Sequence, residues 1–139
     1  MIIIHFIVEG DPVAKGRARI TTRGGFAHSY TPQKTAAFAK VVATEAKVAM
    51  VGKNMLIGAL QCKVTCYMPI PKSASKKLAA AMKDGAIPHI KKPDLDNLFK
   101  GLTDPLSGII FHDDNQIVRM SCSKQYSDYP RSEITVWEI

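Results

Sequence analysis

The sequence predicts an α+β fold in one domain, residues 1–139, with a mixed or antiparallel sheet of about five strands and two principal helices. Three observations lead there. Apolar, β-branched runs stand at both ends of the chain, "IIIHFIV" (2–8) and "SEITVWEI" (132–139), the second with clear two-residue alternation. Two stretches between them repeat apolar residues at helical spacing. The chain has 139 residues, 46% hydrophobic and 22% charged, enough to bury a real core without disulfide or metal staples, and it contains no repeat or low-complexity tract.

Taken in order, residues 2–8 read as a central strand because nearly every side chain is apolar. Residues 9–30 begin as a Pro/Gly loop and continue as a short hairpin turning at Gly24-Gly25. Thr31 is the expected N-cap of the first helix, with Pro32 at its first position. Phe38, Val41, Val42 and Ala49 form its apolar face, and Gly52 follows its end. "MLIGALQCKVTCYM" (55–68) is a long strand, weakened at Gly58. Residues 69–93 form a proline-bounded, lysine-rich insertion with a short helix near 75–84, and its end, "PHIKKP", reads as mobile. A second principal helix opens at Asp94. "GIIFHDDNQIVRMSCSKQY" (108–126) follows as strand, turn and strand, and residues 132–139 close the fold.

Nineteen Lys and Arg against twelve Asp and Glu leave a net charge of +7. Such a balance favours a polyanionic partner, nucleic acid first and an acidic membrane surface second. Lys15, Arg17, Arg19 and Arg23 alternate with small residues, either as a phosphate track or as charges guarding an edge strand. Lys91 and Lys92 belong to a second basic group with the insertion lysines, read as a lid over DNA or as a solvated face. The three cysteines, Cys62, Cys66 and Cys122, show neither CxxC nor zinc-finger spacing and read as reduced core thiols. Residues 1–8 lack the basic n-region and length of a leader, and no segment has the length and apolarity of a span, so a cytoplasmic location is expected.

The acids are not scattered. Five of the eight aspartates, Asp94, Asp96, Asp104, Asp113 and Asp114, fall within residues 94–114. Leu95, Leu98, Phe99, Leu102 and Leu106 form an apolar stripe, leaving Asp96, Lys100 and Thr103 on another face. Pro93 disfavours helix before it, so Asp94 becomes the N-cap, outside the helical rotation, and both carboxylates can converge at the helix start. The plainer alternative is that Asp94 caps the backbone and Asp96 pairs with Lys100. Several carboxylates drawn together repel unless a cation lies between them, and hard divalent ions take such oxygen ligands.

The segment "KKPDLDNLFKGLTDPLSGIIFHDDNQIV" (91–118) resembles the RusA family of Holliday-junction resolvases. Its basic residues, D-L-D-N-L-x-K and D-D-x-Q-I carry the match, and "PVAKGRAR" with a later "YTP" extends it. The resemblance implies a metal-dependent endodeoxyribonuclease acting on four-way DNA junctions as a homodimer, often carried by phages or prophages. It implies Mg²⁺, with Mn²⁺ as a substitute. Asp94, Asp96 and Asp114 would be the catalytic, metal-binding carboxylates and Lys100 the essential lysine, with Asp113 and Asn97 in supporting places. Pro105 is expected to stop or kink the motif helix near residue 104, and Gly101 to loosen it.

Overall fold

The computed structural model of the chain describes residues 1–139 except Arg17, Ala18 and Thr31, and except the side chains of Arg19, His28, Ser29 and Tyr30. The elements in chain order are β1 (Ile3–Glu9), β2 (Arg19–Thr21), β3 (His28–Tyr30), α1 (Gln33–Ala49), β4 (Leu60–Pro69), α2 (Lys76–Lys83), α3 (Leu95–Thr103), β5 (Ile117–Ser127) and β6 (Arg131–Glu138). Short 3₁₀ turns at Asp104–Leu106 and Asp114–Gln116 follow α3.

The main sheet has strand order β1-β6-β4-β5, with β6 antiparallel to both β1 and β4, and β4 parallel to β5. β2 and β3 form a separate hairpin around Gly24 and Gly25, both at positive φ. The expected sheet of about five strands is therefore four strands plus a detached pair, and the α+β class holds. Two strand assignments change. β1 is an edge strand: Ile4, Phe6 and Val8 are buried while Ile3 and Ile7 face outward, so an apolar run hid an alternation. Residues 108–111 form no strand. Gly108 turns the chain at positive φ, its N–H bonds the Phe111 carbonyl at 2.7 Å, Phe111 makes isolated bridges with Leu56 and Ser107, and both Ile110 and Phe111 are buried in the core.

α1 and α3 cover one face of the sheet, meeting the inward residues of β1, β4 and β6 in one cluster. α1 buries Phe38, Val42 and Ala46, one stripe at i, i+4, i+8, while Val41 is exposed, against expectation. Thr31, the expected N-cap, lies outside the described residues; Pro32, expected at the first helical position, instead holds the extended cap position at φ −54° and ψ 140°, and the helix starts at Gln33. β4 starts at Leu60, so 55–59 remain loop, and Cys62 and Cys66 are buried and unbridged on its core face. Ser75 caps α2 by accepting the Leu78 N–H at 3.1 Å. No described helix is long and apolar enough to cross a membrane.

α3 buries Leu98, Leu102 and, just beyond it, Leu106; Thr103 is also buried, bonding back to the Phe99 carbonyl at 2.8 Å. Gly101 does not loosen this helix. A Cβ there would lie 2.7 Å from the Val13 carbonyl oxygen and 3.1 Å from the Lys15 nitrogen. Glycine is thus what lets the 13–15 backbone lie against α3, where the Lys15 N–H bonds the Asn97 carbonyl at 2.9 Å. Pro105 ends the α-helix at Thr103, as its missing N–H requires.

Candidate active site

α3 begins where proline chemistry demands. Pro93 disfavours helix ahead of it, Asp94 takes extended φ −70° and ψ 150°, and its carbonyl accepts the first helical bond from the Leu98 N–H at 3.1 Å. Its side chain makes no capping bond. Asp96 sits in the first turn, and among the described residues it forms no ion pair with Lys100. Both halves of the plainer sequence alternative are therefore absent. Two exposed carboxylates stand at a helix N-terminus, where the backbone dipole favours negative charge, with no partner among the described residues.

The helix runs alongside β5 in the opposite direction. Cys122 Sγ approaches the Leu95 carbonyl at 3.7 Å near the helix start. Near its end, Phe99, Lys100, Thr103 and Asp104 line an open recess of about 360 Å³ with Asp114, Ile117, Val118, Arg119 and Met120. Asp114 is thus grouped with Lys100 and Asp104. Asp94 lines a different shallow recess with Lys92, Pro93 and Asn97. Asp96 lies one turn before Lys100 on the helix. Among the described residues, no three His, Cys, Asp or Glu side chains converge closely enough to hold a metal ion.

The second acidic pair is held by its own turn. Asp113 caps the 114–116 turn by accepting the Asn115 N–H at 2.8 Å, while Gln116 Oε1 accepts the N–H groups of His112 and Asp113 at 2.9 and 3.1 Å. The Gln116 amide donates onward to the carbonyls of Leu56 and Gly58, at 3.0 and 3.1 Å, tying this turn to the approach to β4. The Asn115 N–H, and then the bond to Asp114, hold Asp113 below the usual carboxylate range. Asp114 is pushed up, first by that shared hydrogen bond and then by slight burial and the charges of Asp113 and Asp104.

The basic residues divide. Lys15 is engaged by Asp104 in an ion pair. Arg17 lies outside the described residues, as does the side chain of Arg19; Arg23 is exposed at the hairpin turn. Lys91 and Lys92 are exposed just ahead of Asp94. Two further residues border the site unannounced by the sequence, Arg119 in the recess and Lys124, while Asp104, a member of the acidic cluster, gains a partner in Lys15. Arg119 and Lys124 depend on the β4–β5 register, which sequence spacing does not reveal.

The donors suit a divalent cation in kind. They are oxygen ligands; Asp94 and Asp96 have no partner among the described residues, and Asp114 is pushed up first by the hydrogen bond it shares with Asp113 and then by slight burial and neighbouring acids. Mg²⁺ often keeps several waters and uses only one or two protein carboxylates besides phosphate, so a closed cage is not needed.

The chain matches the endodeoxyribonuclease RusA family over residues 9–137. It is also 38% identical over 138 residues to a protein of Bacillus subtilis (strain 168) called "uncharacterized protein YqaN", covering 98% of this chain and 96% of that one.

Proposed function

This chain belongs to the RusA endodeoxyribonuclease family, and from that premise we propose that it is a Mg²⁺-dependent resolvase of four-way DNA junctions. It works as a homodimer whose two sites make paired incisions in recombination and repair. Asp94, Asp96 and Asp114 serve as its metal-binding carboxylates. The observation that supports this reading is the pair Asp94 and Asp96, exposed at the start of α3 and, among the described residues, engaged neither as a cap nor in an ion pair. Acids without structural employment, on a chain of net charge +7, need another reason to be there.

Bound Mg²⁺ would supply Lewis acidity toward a phosphodiester and lower the pKa of a water. The protein's own share is positional. Lys100 brings a positive charge to the recess that contains Asp114, where it offsets charge on a phosphate. Asp113 and Gln116 fix the turn that carries Asp114. Arg119 on the same wall, Arg23 at the hairpin tip, and Lys91 and Lys92 beside Asp94 offer contacts to the DNA backbone.

The test uses synthetic four-way junctions, flaps and linear duplexes with Mg²⁺, comparing the wild-type protein with Asp96→Asn. Junction cleavage by the wild type, lost in the variant, is expected. Undiminished cleavage by Asp96→Asn would sink the site assignment. Tight junction binding with no cleavage by the wild type would instead identify a binding protein that has lost catalysis. Preferential cutting of flaps or RNA would move the substrate class, and a monomer at working concentration would remove paired incision.

A further inference from the structure

The segment leading into Asp94 has almost no backbone support. Ile87 N–H bonds the Ala81 carbonyl at 3.2 Å, and the next helical bond is the one Asp94 accepts from Leu98. Between them, Ile90, Lys91 and Lys92 are exposed, and Pro93 has no N–H to give. Two side-chain contacts tie it to β5: the His89 ring packs on that of Tyr126, centroids 4.7 Å apart, and Lys124 reaches further along, to the residues just ahead of Asp94. Lys124, half-buried on the helix-facing side of β5, donates from Nζ to the carbonyl of Lys91 at 2.6 Å and to that of Pro93 at 2.8 Å. Two residues earlier on the same face, Cys122 Sγ approaches the Leu95 carbonyl at 3.7 Å. Alternate carbonyls at 91, 93 and 95 are thus turned toward one strand, and the ammonium group makes the two short contacts.

We propose that Lys124 is a positioning residue for the nuclease reaction, holding the 91–93 backbone so that Asp94 meets its ligand in a fixed orientation. The inference rests on the assignment of Asp94 in the preceding section. The geometry is direct: the Pro93 carbonyl belongs to the peptide plane that includes the Asp94 nitrogen, so fixing one orients the other. The charge-assisted bond to the Pro93 carbonyl resists rotation of that plane, and the one to the Lys91 carbonyl anchors the peptide two residues earlier, which an apolar side chain of equal length could not do.

Lys124→Met keeps the aliphatic stem and removes the donors. On a synthetic four-way junction with Mg²⁺, kcat is expected to fall roughly 10- to 100-fold, the range seen when a supporting partner of a ligand is lost. KM for the junction should stay within about twofold, because the ammonium group is occupied by the protein rather than by DNA. Lys124→Arg should recover part of the loss. Without metal or DNA, amide hydrogen exchange in residues 90–97 should quicken in Lys124→Met. Lys83→Met, which also removes one charge on this side of the molecule, should leave kcat unchanged.

Wild-type kcat in Lys124→Met, or a loss appearing only in KM, overturns the proposal. If the methionine variant does not fold, amine labelling of the wild-type protein decides: Lys124 should react more slowly than Lys91 and Lys92, and equal reactivity overturns the proposal. Asp94→Asn is run in parallel. If Asp94→Asn cleaves normally, the site assignment fails; if it is inactive while Lys124→Met is normal, only the positioning role fails.

Discussion

Asp94 and Asp113 occupy the same kind of place, the extended residue ahead of a helical turn with a second aspartate close behind. Their side chains behave differently. Asp113 accepts the Asn115 N–H and closes a reciprocal box with Gln116, so its carboxylate belongs to the turn. Asp94 leaves its cap bond unmade, and Asp96 leaves Lys100 unpaired. Elsewhere, Asp104 is engaged by Lys15 and Asp128 by Lys83. An acid beside a helix start is thus an ordinary structural part until its hydrogen bonds are counted, and in this chain only the count separates Asp94 from Asp113.

The sharpest way to break that comparison is to neutralise both caps. Asp94→Asn should lower junction cleavage by more than the roughly 10- to 100-fold typical of supporting residues, with thermal stability unchanged because no bond is lost. Asp113→Asn can still cap and should cost far less activity, whereas Asp113→Ala should lower the melting temperature. Equal activity losses for Asp94→Asn and Asp113→Asn would erase the distinction.

Next in size is Gly101→Ala. Helix propensity alone favours alanine by about 1 kcal/mol, yet the new Cβ meets the Val13 carbonyl oxygen at 2.7 Å. Backbone cannot swing aside as a flexible side chain can, so net destabilisation of about 1–3 kcal/mol is expected in denaturant titration. Cleavage should also fall, because the same approach seats Lys15 beside Asp104. A stabilised variant would show that propensity outweighs the contact.

The smallest effect belongs to the exposed pair Lys83–Asp128, at 2.8 Å. Lys83, its hydrogen bond first and its charge second, holds Asp128 below the usual carboxylate range, while the same contacts raise Lys83. The depressed acid contributes stability above its unfolded pKa of about 3.9, lost as pH falls through the lower folded value. The raised lysine contributes below about 10.4, lost as pH rises through its folded value. Asp128→Asn should therefore lower the melting temperature slightly at pH 7, and the difference should fade in acid and in high salt.

Much of the local frame around the candidate site was legible in the sequence. Pro93 followed by Asp94 predicts the start of α3, and Pro105 predicts its end, because proline restricts the residue before it and removes a donor wherever it stands. The hairpin at Gly24-Gly25 and the capped helix after Ser75 follow from equally local chemistry. Readings that depended on neighbours fared differently. The run "IIIHFIV" does not reveal that one side of β1 is uncovered, and Gly101 looks like weakness until the 13–15 backbone is laid against it.

By itself, the sequence determined the boundaries of α3, the hairpin turn, the fold class and the 91–118 pattern that marks the family, since each is written in bonds between near neighbours or in fixed spacing. Only the tertiary structure decided that β6 lies inside the sheet and β1 at its edge, that Gln116 reaches Leu56 and Gly58, and that Lys124 grips the carbonyls before Asp94. It also decided that Asp114 shares a recess with Lys100 and Asp104. Such contacts join residues far apart in the chain, and strand order and register, which no local preference encodes, bring them together.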